Sequence, residues 1–474
     1  MEQLLHDTLQ IAPLTATFVL ALVVVLINTI WKNAERAEYA ATMIGLIVVA
    51  ILGIVTLPNK GYAFGGMIMT GGFASFMAIL FSGAAFLSLG IADRYIHRIG
   101  AGFGEFYMII IFALMGMIAF ASGTDLIVTF VGLELLSISL YILAGITRRN
   151  LRANEASLKY FLLGAFATGF FLYGIALIYG STGTTNIIEI TRLLPELLSD
   201  TLFMVGVGLL LVGFAFKIGA VPFHMWIPDV YEGAPTAVTA FMSTGAKASA
   251  FGALLLVFTA TFEFTGTPVN DVFAVLAIAS MVIGNVVAIA QNNVKRLLAY
   301  SSIAHAGYML IGLTVGTPMS LNAVVFYLIS YTLTNIGAFG IVSFLEDEKQ
   351  TPITIRDFYG LGTRKPFLGI LMSIFMFSLI GIPPLSGFFG KYYIFVQAIE
   401  NGYTWLTIVG VLTSVVSVYY YLRVVTAMYF NDSTSDQQVF TTPAGTATLL
   451  LSALGIILLG IGPQVVLQWM SQLF

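Results

Sequence analysis

Long apolar stretches recur along the whole chain and constrain its fold more than any other feature. A helix needs about 20 apolar residues to cross a hydrocarbon core roughly 30 Å thick. The sequence therefore predicts an all-α integral membrane protein, a single polytopic domain over residues 1–474 with about 14 transmembrane helices. The predicted spans are 11–31, 38–57, 66–91, 103–121, 124–146, 156–180, 201–220, 235–260, 270–290, 296–316, 320–345, 366–399 with an interruption, 404–430 and 443–470.

The composition excludes several other classes of protein. Of the 474 residues, 58% are hydrophobic and 9% are charged, and the mean hydropathy is +0.96. Soluble domains carry roughly 25% charged residues, so a soluble globular protein, a disordered chain and a nucleic-acid binder are all excluded, and the lipid bilayer is the expected surrounding. The chain has no cysteine, which excludes thiolate-held iron–sulfur clusters and Cys-ligated zinc. Any redox chemistry is therefore expected in partner chains.

Basic residues are distributed unevenly between the two sides of the predicted spans. The loops that follow odd-numbered spans hold 14 of the 20 Lys and Arg residues, whereas the opposite side holds only Lys60 and Arg192. Short loops rich in Lys and Arg remain in the cytoplasm. We therefore expect both termini on the non-cytoplasmic side of the membrane.

Four charged residues lie deep inside predicted spans or beside proline breaks. Glu134 and Lys247 lie near the middle of their spans, Lys217 lies five residues before Pro222, and Lys391 lies seven residues after a Pro-Pro pair. A charge at mid-bilayer costs at least about 2.5 to 3.5 kcal/mol, so such residues indicate a functional site. Proline breaks free backbone carbonyls that lipid cannot satisfy, and many transporters use such breaks to bind ions. A kink with a snorkelling lysine is the alternative for either break taken alone.

Two histidines lie near these charges. His305 is inside the tenth predicted span, and Ser301, Ser302 and Tyr308 beside it could hold a chain of water molecules. His224 follows the first proline break. A lone buried histidine is more often a hydrogen-bonded structural residue than a proton carrier, so His305 is the stronger candidate and His224 a secondary one.

The positions of the two proline breaks predict a duplication. They fall in spans 7 and 12, five spans apart, and a repeated unit of five helices must insert its second copy upside down. We interpret 103–260, with spans 4–8, and 270–430, with spans 9–13, as two inverted five-helix repeats with broken helices 7 and 12. Residues 1–91 are then three peripheral helices, and 443–470 form helix 14.

Four segments carry a resemblance to a known family: FVGLELLSISLYIL, FKIGAVPFHMWIPDVYEGAPTAVTAFMSTGAK, NVKRLLAYSSIAHAGYML and IGIPPLSGFFGKYY. They resemble the antiporter-like, proton-translocating membrane subunits of respiratory complex I, the NADH:quinone oxidoreductase or NDH-1. The resemblance covers essentially the whole chain and is closest to the N type. The M type carries a glutamate where this chain has Lys391.

The resemblance implies specific roles for the buried charges. Glu134 resembles the glutamate of helix 5, Lys217 its partner on helix 7, Lys247 the lysine of helix 8, His305 the histidine of helix 10, and Lys391 the lysine of broken helix 12. We hypothesise that Glu134 and Lys217 form a switch, that Lys247 and His305 relay the proton, and that Lys391 controls its release or couples the chain to a neighbouring subunit.

The resemblance also implies the surroundings of the chain. It implies a subunit of a translocase in the bacterial plasma membrane, beside M-type, K-type and J-type membrane-arm subunits. Electron transfer from NADH to quinone would drive the pumping. FMN, the iron–sulfur clusters and quinone are expected in partner subunits, with no cofactor, metal or redox centre in this chain.

A second class stays open on the sequence alone. The large subunits of multisubunit cation/proton antiporters share this fold, as do those of membrane hydrogenases and ferredoxin-driven relatives. A sodium site usually needs several oxygen ligands, and a single deep carboxylate supplies few of them. The residues therefore favour proton translocation over sodium exchange.

Overall fold

The protein is almost entirely helical in a computed structural model that describes residues 1–31, 34–261, 268–432 and 438–470. Only a short hairpin, a π turn and a 3-10 turn interrupt the helices in these residues. The helices, numbered in chain order, are α1 (Glu2–Gln10), α2 (Ala12–Ile30), α3 (Glu35–Thr56), α4 (Gly72–Ala92), α5 (Tyr95–Arg98), α6 (Gly104–Ser122), α7 (Leu126–Ala144), α8 (Leu151–Thr182), α9 (Ile187–Leu197), α10 (Thr201–Ile218), α11 (Trp226–Gly233), α12 (Thr236–Phe241), α13 (Lys247–Thr261), α14 (Pro268–Ile289), α15 (Val294–Val315), α16 (Pro318–Leu345), α17 (Leu361–Arg364), α18 (Pro366–Ile380), α19 (Ser386–Glu400), α20 (Thr404–Phe430), α21 (Pro443–Ile461) and α22 (Pro463–Met470).

The predicted membrane spans are confirmed by these helices. Thirteen spans in the described residues are long and apolar enough to cross a membrane, and α18 with α19 forms the fourteenth. The last predicted span, 443–470, is divided at Gly462 into α21 and α22. Pro463 begins α22, a position that suits proline because the first residue of a helix needs no N–H partner.

A β-hairpin occupies the start of the third predicted span. Strand β1 (Gly61–Ala63) pairs antiparallel with β2 (Ile68–Thr70). The span 66–91 is therefore too long at its beginning, since α4 begins only after Gly71. That glycine has a φ of 64° and lies so close to the carbonyl oxygen of Asn59 that an added Cβ would be 2.3 Å away. Only glycine fits this turn, and it separates the hairpin from α4.

Two helix pairs are built in the same way, 168 residues apart. Asp125 caps the N-terminus of α7 and forms a backbone bridge with Asn186. Asn293 caps the N-terminus of α15 and forms the equivalent bridge with Thr354. Both members of the second bridge lie 168 residues after their counterparts, so α7 and α15 occupy equivalent positions.

Close glycine contacts repeat with the same offset. Gly116 of α6 packs against α7 so tightly that an added Cβ would lie 2.5 Å from the amide nitrogen of Leu136. Gly284 of α14 packs in the same way, 2.6 Å from the amide nitrogen of Ala304. The pairs α6/α7 and α14/α15 are therefore two copies of one unit.

Both predicted breaks are present. The C-cap glycines that end α10 and α18 are Gly219 and Gly381, and both adopt positive φ angles, 75° and 91°. The chain resumes a helix at Trp226 in the first case and at Ser386 in the second. Helices 7 and 12 are thus broken, as the sequence predicts. On the common offset we propose 103–260 and 270–430 as the two repeats.

The most buried helices lie at the centre of the bundle. Every residue from 236 to 258 is buried, and α15 is buried except at two positions near its beginning. Within the three helices predicted to be peripheral, α2 and α3 expose large apolar side chains, whereas α4 is mostly buried. The buried polar residues of the centre therefore have only protein around them.

The absence of native cysteine allows a direct test of the predicted topology. Thr363 and Ser199 are exposed in loops on opposite sides of the bundle. We expect Thr363→Cys to react with a membrane-impermeant maleimide only in inverted vesicles, because the basic loops face the cytoplasm. Ser199→Cys should react only in intact spheroplasts. Labelling of both variants from the same side would disprove the proposed orientation.

Candidate functional site

Lys217 lies at the end of α10, immediately before the first break. Its side chain is buried, and its Nζ donates a hydrogen bond to Ser137 Oγ of α7 at 2.8 Å. The ammonium also lies 5.6 Å from the centroid of the Tyr160 ring. A hydroxyl and an aromatic face therefore solvate this charge inside the bundle.

Glu134 lies one turn away from Ser137 on the same helix. Residues three apart share a helix face, so Glu134 and Ser137 both point toward the region of Lys217. The carboxylate accepts a hydrogen bond from Thr168 Oγ1 at 2.8 Å and acts electrostatically on Lys217. The ion pairs found among the described residues do not include Glu134 with Lys217. In this conformation Ser137 holds the lysine, with the glutamate in reserve.

Lys247 follows a π turn in the most buried span. Residues 242–246 adopt a π helix, which rotates the following residues relative to a regular α-helix. Lys247 Nζ then donates hydrogen bonds to the carbonyl oxygen of Ser302 at 2.7 Å and to its hydroxyl. The side chain is 3% exposed. No sequence pattern indicated the π turn, although such turns are frequent at functional sites.

His305 is held between two tyrosines. Its Nδ1 lies 2.6 Å from the hydroxyl of Tyr327, and its Nε2 lies 3.0 Å from that of Tyr421. Tyr421 in turn shares a hydrogen bond with Ser301. Both ring nitrogens are thus connected to hydroxyl groups, so a proton can be accepted on one side of the ring and released on the other.

Lys391 satisfies the carbonyl groups that the second break sets free. Its Nζ donates hydrogen bonds to the carbonyl oxygens of Leu379 at 3.1 Å and Ile380 at 2.9 Å, the last two residues of α18. A third hydrogen bond reaches Ser414 Oγ at 2.8 Å, and the centroid of the Tyr308 ring is 4.9 Å away. The break and the lysine are therefore one structural feature, because each satisfies the other within the membrane.

The duplication places the functional groups of α7 and α15 at matching positions. With the offset of 168 residues, Glu134 corresponds to Ser302 and Ser137 corresponds to His305. Ser137 binds Lys217, and Ser302 binds Lys247. Each repeat thus presents a polar pair, three residues apart, to a buried lysine.

The polar line is continuous from Lys247 to Lys391. Ser302, His305 and Tyr308 lie at intervals of three residues along α15, and the rings of His305 and Tyr308 are 5.7 Å apart between centroids. Lys247 contacts the first of these residues and Lys391 contacts the last. In the described residues, the hydrogen bonds of Lys217 and Lys247 end on different helices and do not join the two lysines.

His224 lies apart from the other candidate residues. It is half-buried in the segment between α10 and α11. Its Nδ1 is buried and has no hydrogen-bond partner among the described residues. The structure therefore brings together Glu134 with Lys217, and Lys247 with His305 and Lys391, but not His224.

A buried ion pair is the feature that the sequence interpretation missed. Lys295 was counted as a loop residue, yet its Nζ lies 3.6 Å from Glu346 Oε1, and both side chains are at most 3% exposed. The hydroxyls of Tyr95 and Thr236 donate hydrogen bonds to Glu346 Oε2. Burial, and then the charge of Glu346, raises the pKa of Tyr95 well above its usual value. The pair lies at the ends of apolar stretches, where the sequence alone does not distinguish a solvated charge from a buried one.

A known family includes most of this chain. Residues 123–417 match the family described as NADH:quinone oxidoreductase/Mrp antiporter, TM. NADH-quinone oxidoreductase subunit N from Trichlorobacter lovleyi is 44% identical over 466 residues, which cover 98% of this chain and 96% of that protein.

Solved structures have the same architecture. A chain of respiratory complex I from Thermus thermophilus with bound aureothin is 35% identical, with a TM-score of 0.83 over 96% of this chain and 98% of that one. A chain of the Mrp complex from Dietzia sp. DQ12-45-1b is 21% identical, with a TM-score of 0.87 over 98% and 97%, and shares the fold. The chain belongs to the NADH:quinone oxidoreductase/Mrp antiporter family, and within it to the subunit N proteins.

The Lys295–Glu346 pair generates a prediction about stability. Glu346→Ala leaves the Lys295 ammonium buried without its carboxylate, which costs about 3 to 5 kcal/mol. We expect a clear fall in the midpoint of thermal unfolding of the purified protein in detergent. The double variant Lys295→Met, Glu346→Leu should recover most of this loss, because it leaves no unpaired charge. Equal stability of the wild type and Glu346→Ala would contradict the buried ion pair.

Proposed function

We propose that this chain translocates protons as subunit N in the membrane arm of NADH:quinone oxidoreductase. Electron transfer from NADH to quinone in other subunits drives the movement, and Glu134, Lys217, Lys247, His305 and Lys391 carry the protons. The observation on which the proposal depends most is the continuous polar line from Lys247 to Lys391 in the buried centre of the bundle. Membership of the subunit N proteins supports the proposal independently.

The first half of the path works as a switch between two partners of Lys217. A buried ammonium is disfavoured by desolvation and favoured by a nearby carboxylate. When Lys217 is bound to the neutral hydroxyl of Ser137, the lysine holds its proton less firmly than when it pairs with Glu134. Movement of Lys217 between these two residues would therefore load and unload a proton. The common helix face of Glu134 and Ser137 makes the movement short.

The second half of the path works as a relay. Lys247 is bound to Ser302, which lies one turn from His305 on α15. The imidazole can take a proton at one nitrogen and release it at the other, to the hydroxyls of Tyr327 and Tyr421. Tyr308 continues the line to Lys391. Lys391 controls release of the proton or couples the chain to a neighbouring subunit, because it stabilises the broken helix at this point.

The remaining assignments follow the same proposal. The chain acts beside M-type, K-type and J-type membrane subunits in the bacterial plasma membrane, with both termini on the non-cytoplasmic side. FMN, iron–sulfur clusters and quinone are bound by partner subunits. The absence of cysteine supports this division, since thiolate ligands for a cluster are not available in this chain.

Substitution of the switch lysine tests the proposal most directly. In the intact complex, reconstituted in vesicles, Lys217→Ala should lower the initial rate of NADH-driven proton uptake about tenfold or more, because a positioned proton carrier is lost. Lys365→Ala removes an exposed lysine and should leave that rate unchanged. Proton uptake at the wild-type rate in Lys217→Ala would refute the switch. Sodium-dependent proton exchange without any NADH-driven uptake would instead assign the chain to cation/proton antiport.

The relay is tested by a pair of neighbouring tyrosines. Tyr421→Phe removes the hydroxyl that contacts His305 Nε2, and the loss of one hydrogen bond should lower the coupled rate about two- to tenfold. Tyr419→Phe makes the same chemical change on the exposed face of α20, where the side chain is 58% exposed, and should have no effect. Comparison of proton uptake in the two variants measures the contribution of the relay. Equal rates in both would show that the tyrosine is only structural.

A further inference from the structure

A cavity of about 780 Å³ opens on the side of the bundle where the basic loops lie. Its walls come from three loops: residues 99–103 before α6, 147–152 at the beginning of α8, and 348–352 after α16. This cavity is separate from the buried polar line, and none of the proposed proton carriers contributes to it. Its function is therefore independent of the function proposed above.

The cavity is lined by unneutralised positive charge. Arg148, Arg149, Arg152 and Lys349 contribute to its walls, against one acidic residue, Glu348. Among the described residues, none of the three arginine side chains belongs to an ion pair. Guanidinium groups bind phosphate oxygens with paired N–H donors, so a site of this kind favours a phosphate group.

A buried amide adds a donor that is directed to no protein group. Gln350 lines the cavity and is only 8% exposed. Its Oε1 accepts hydrogen bonds from Thr147 Oγ1 at 3.2 Å and from Asn150 Nδ2. Its Nε2 is buried and has no partner among the described residues. A buried donor without a partner costs free energy, and an anion in the cavity would remove that cost.

The surroundings of the cavity match the interface of a membrane. Two apolar side chains on its wall face outward, Leu151 at 83% and Phe103 at 43% exposure. The long membrane-crossing helix α8 begins at this wall, and its N-terminus carries a partial positive charge. A ligand here can place an anionic group among the arginines while an apolar part lies along the helix surface.

We propose that this cavity binds the phosphate group of an anionic glycerophospholipid from the cytoplasmic leaflet. The arginines neutralise the phosphate, Gln350 Nε2 donates a hydrogen bond to it, and Leu151 contacts the acyl chains. The same phosphate chemistry could come from free inorganic phosphate, and the experiment below separates the two sources.

Photochemical labelling of the intact complex tests the site. The complex, in detergent and depleted of lipid, is mixed with phosphatidylglycerol that carries a photoactivatable group, and labelled peptides are identified by mass spectrometry. We expect label on the segments 99–103 and 147–152. Arg149→Gln and Arg152→Gln should each lower this labelling about fivefold, and the double variant about 25-fold. Lys365→Gln removes an exposed basic residue of the same side outside the cavity and should not change it.

Three results would overturn the proposal. Equal labelling of these segments by photoactivatable phosphatidylcholine would show that the anionic headgroup is not recognised. Displacement of phosphatidylglycerol by millimolar inorganic phosphate would assign the cavity to the free anion. Unreduced labelling in the double variant, with the segments cross-linked to another subunit, would assign it to a protein partner. The yield of assembled complex, measured for each variant, separates loss of the site from loss of the chain.

Discussion

No water is available in the hydrocarbon core of a membrane, so each charge and each free backbone carbonyl must find its partner within the protein. Lys391 shows the constraint most clearly. The break in helix 12 exposes the carbonyl oxygens of Leu379 and Ile380, and the lysine ammonium binds both of them. Neither the break nor the charge would be tolerated alone. Lys217, beside the other break, is held by Ser137 and an aromatic ring instead. A charge whose partners are neutral is stable enough to be present and mobile enough to exchange them.

The duplication determines where these partners lie. The bridges and the close glycine contacts at an offset of 168 residues show that α7 and α15 are copies. In one copy the polar pair is Glu134 and Ser137, and in the other it is Ser302 and His305. The scaffold is conserved between the copies, whereas the chemistry differs. A carboxylate in the first copy suits a charge switch, and an imidazole in the second suits a neutral relay.

The two basic features outside the polar line have opposite environments. Lys295 is buried against Glu346 and ties the beginning of α15 to the end of α16, so it serves the stability of the bundle. Arg149 and Arg152 are exposed beside a cavity without carboxylate partners among the described residues, so they are available to a ligand. The same charge at the same side of the membrane thus stabilises the fold in one place and forms a binding site in another.

The sequence by itself determined the class of the protein, the spans and the identity of the buried charges, because lipid imposes a simple rule: long apolar windows cross it, and charges within them are rare. Glu134, Lys217, Lys247, His305 and Lys391 could all be found in this way. The tertiary structure alone decided which groups meet. The π turn before Lys247, the hairpin before α4 and the partner of Lys295 depend on contacts between segments far apart in the chain, and local hydropathy does not record such contacts.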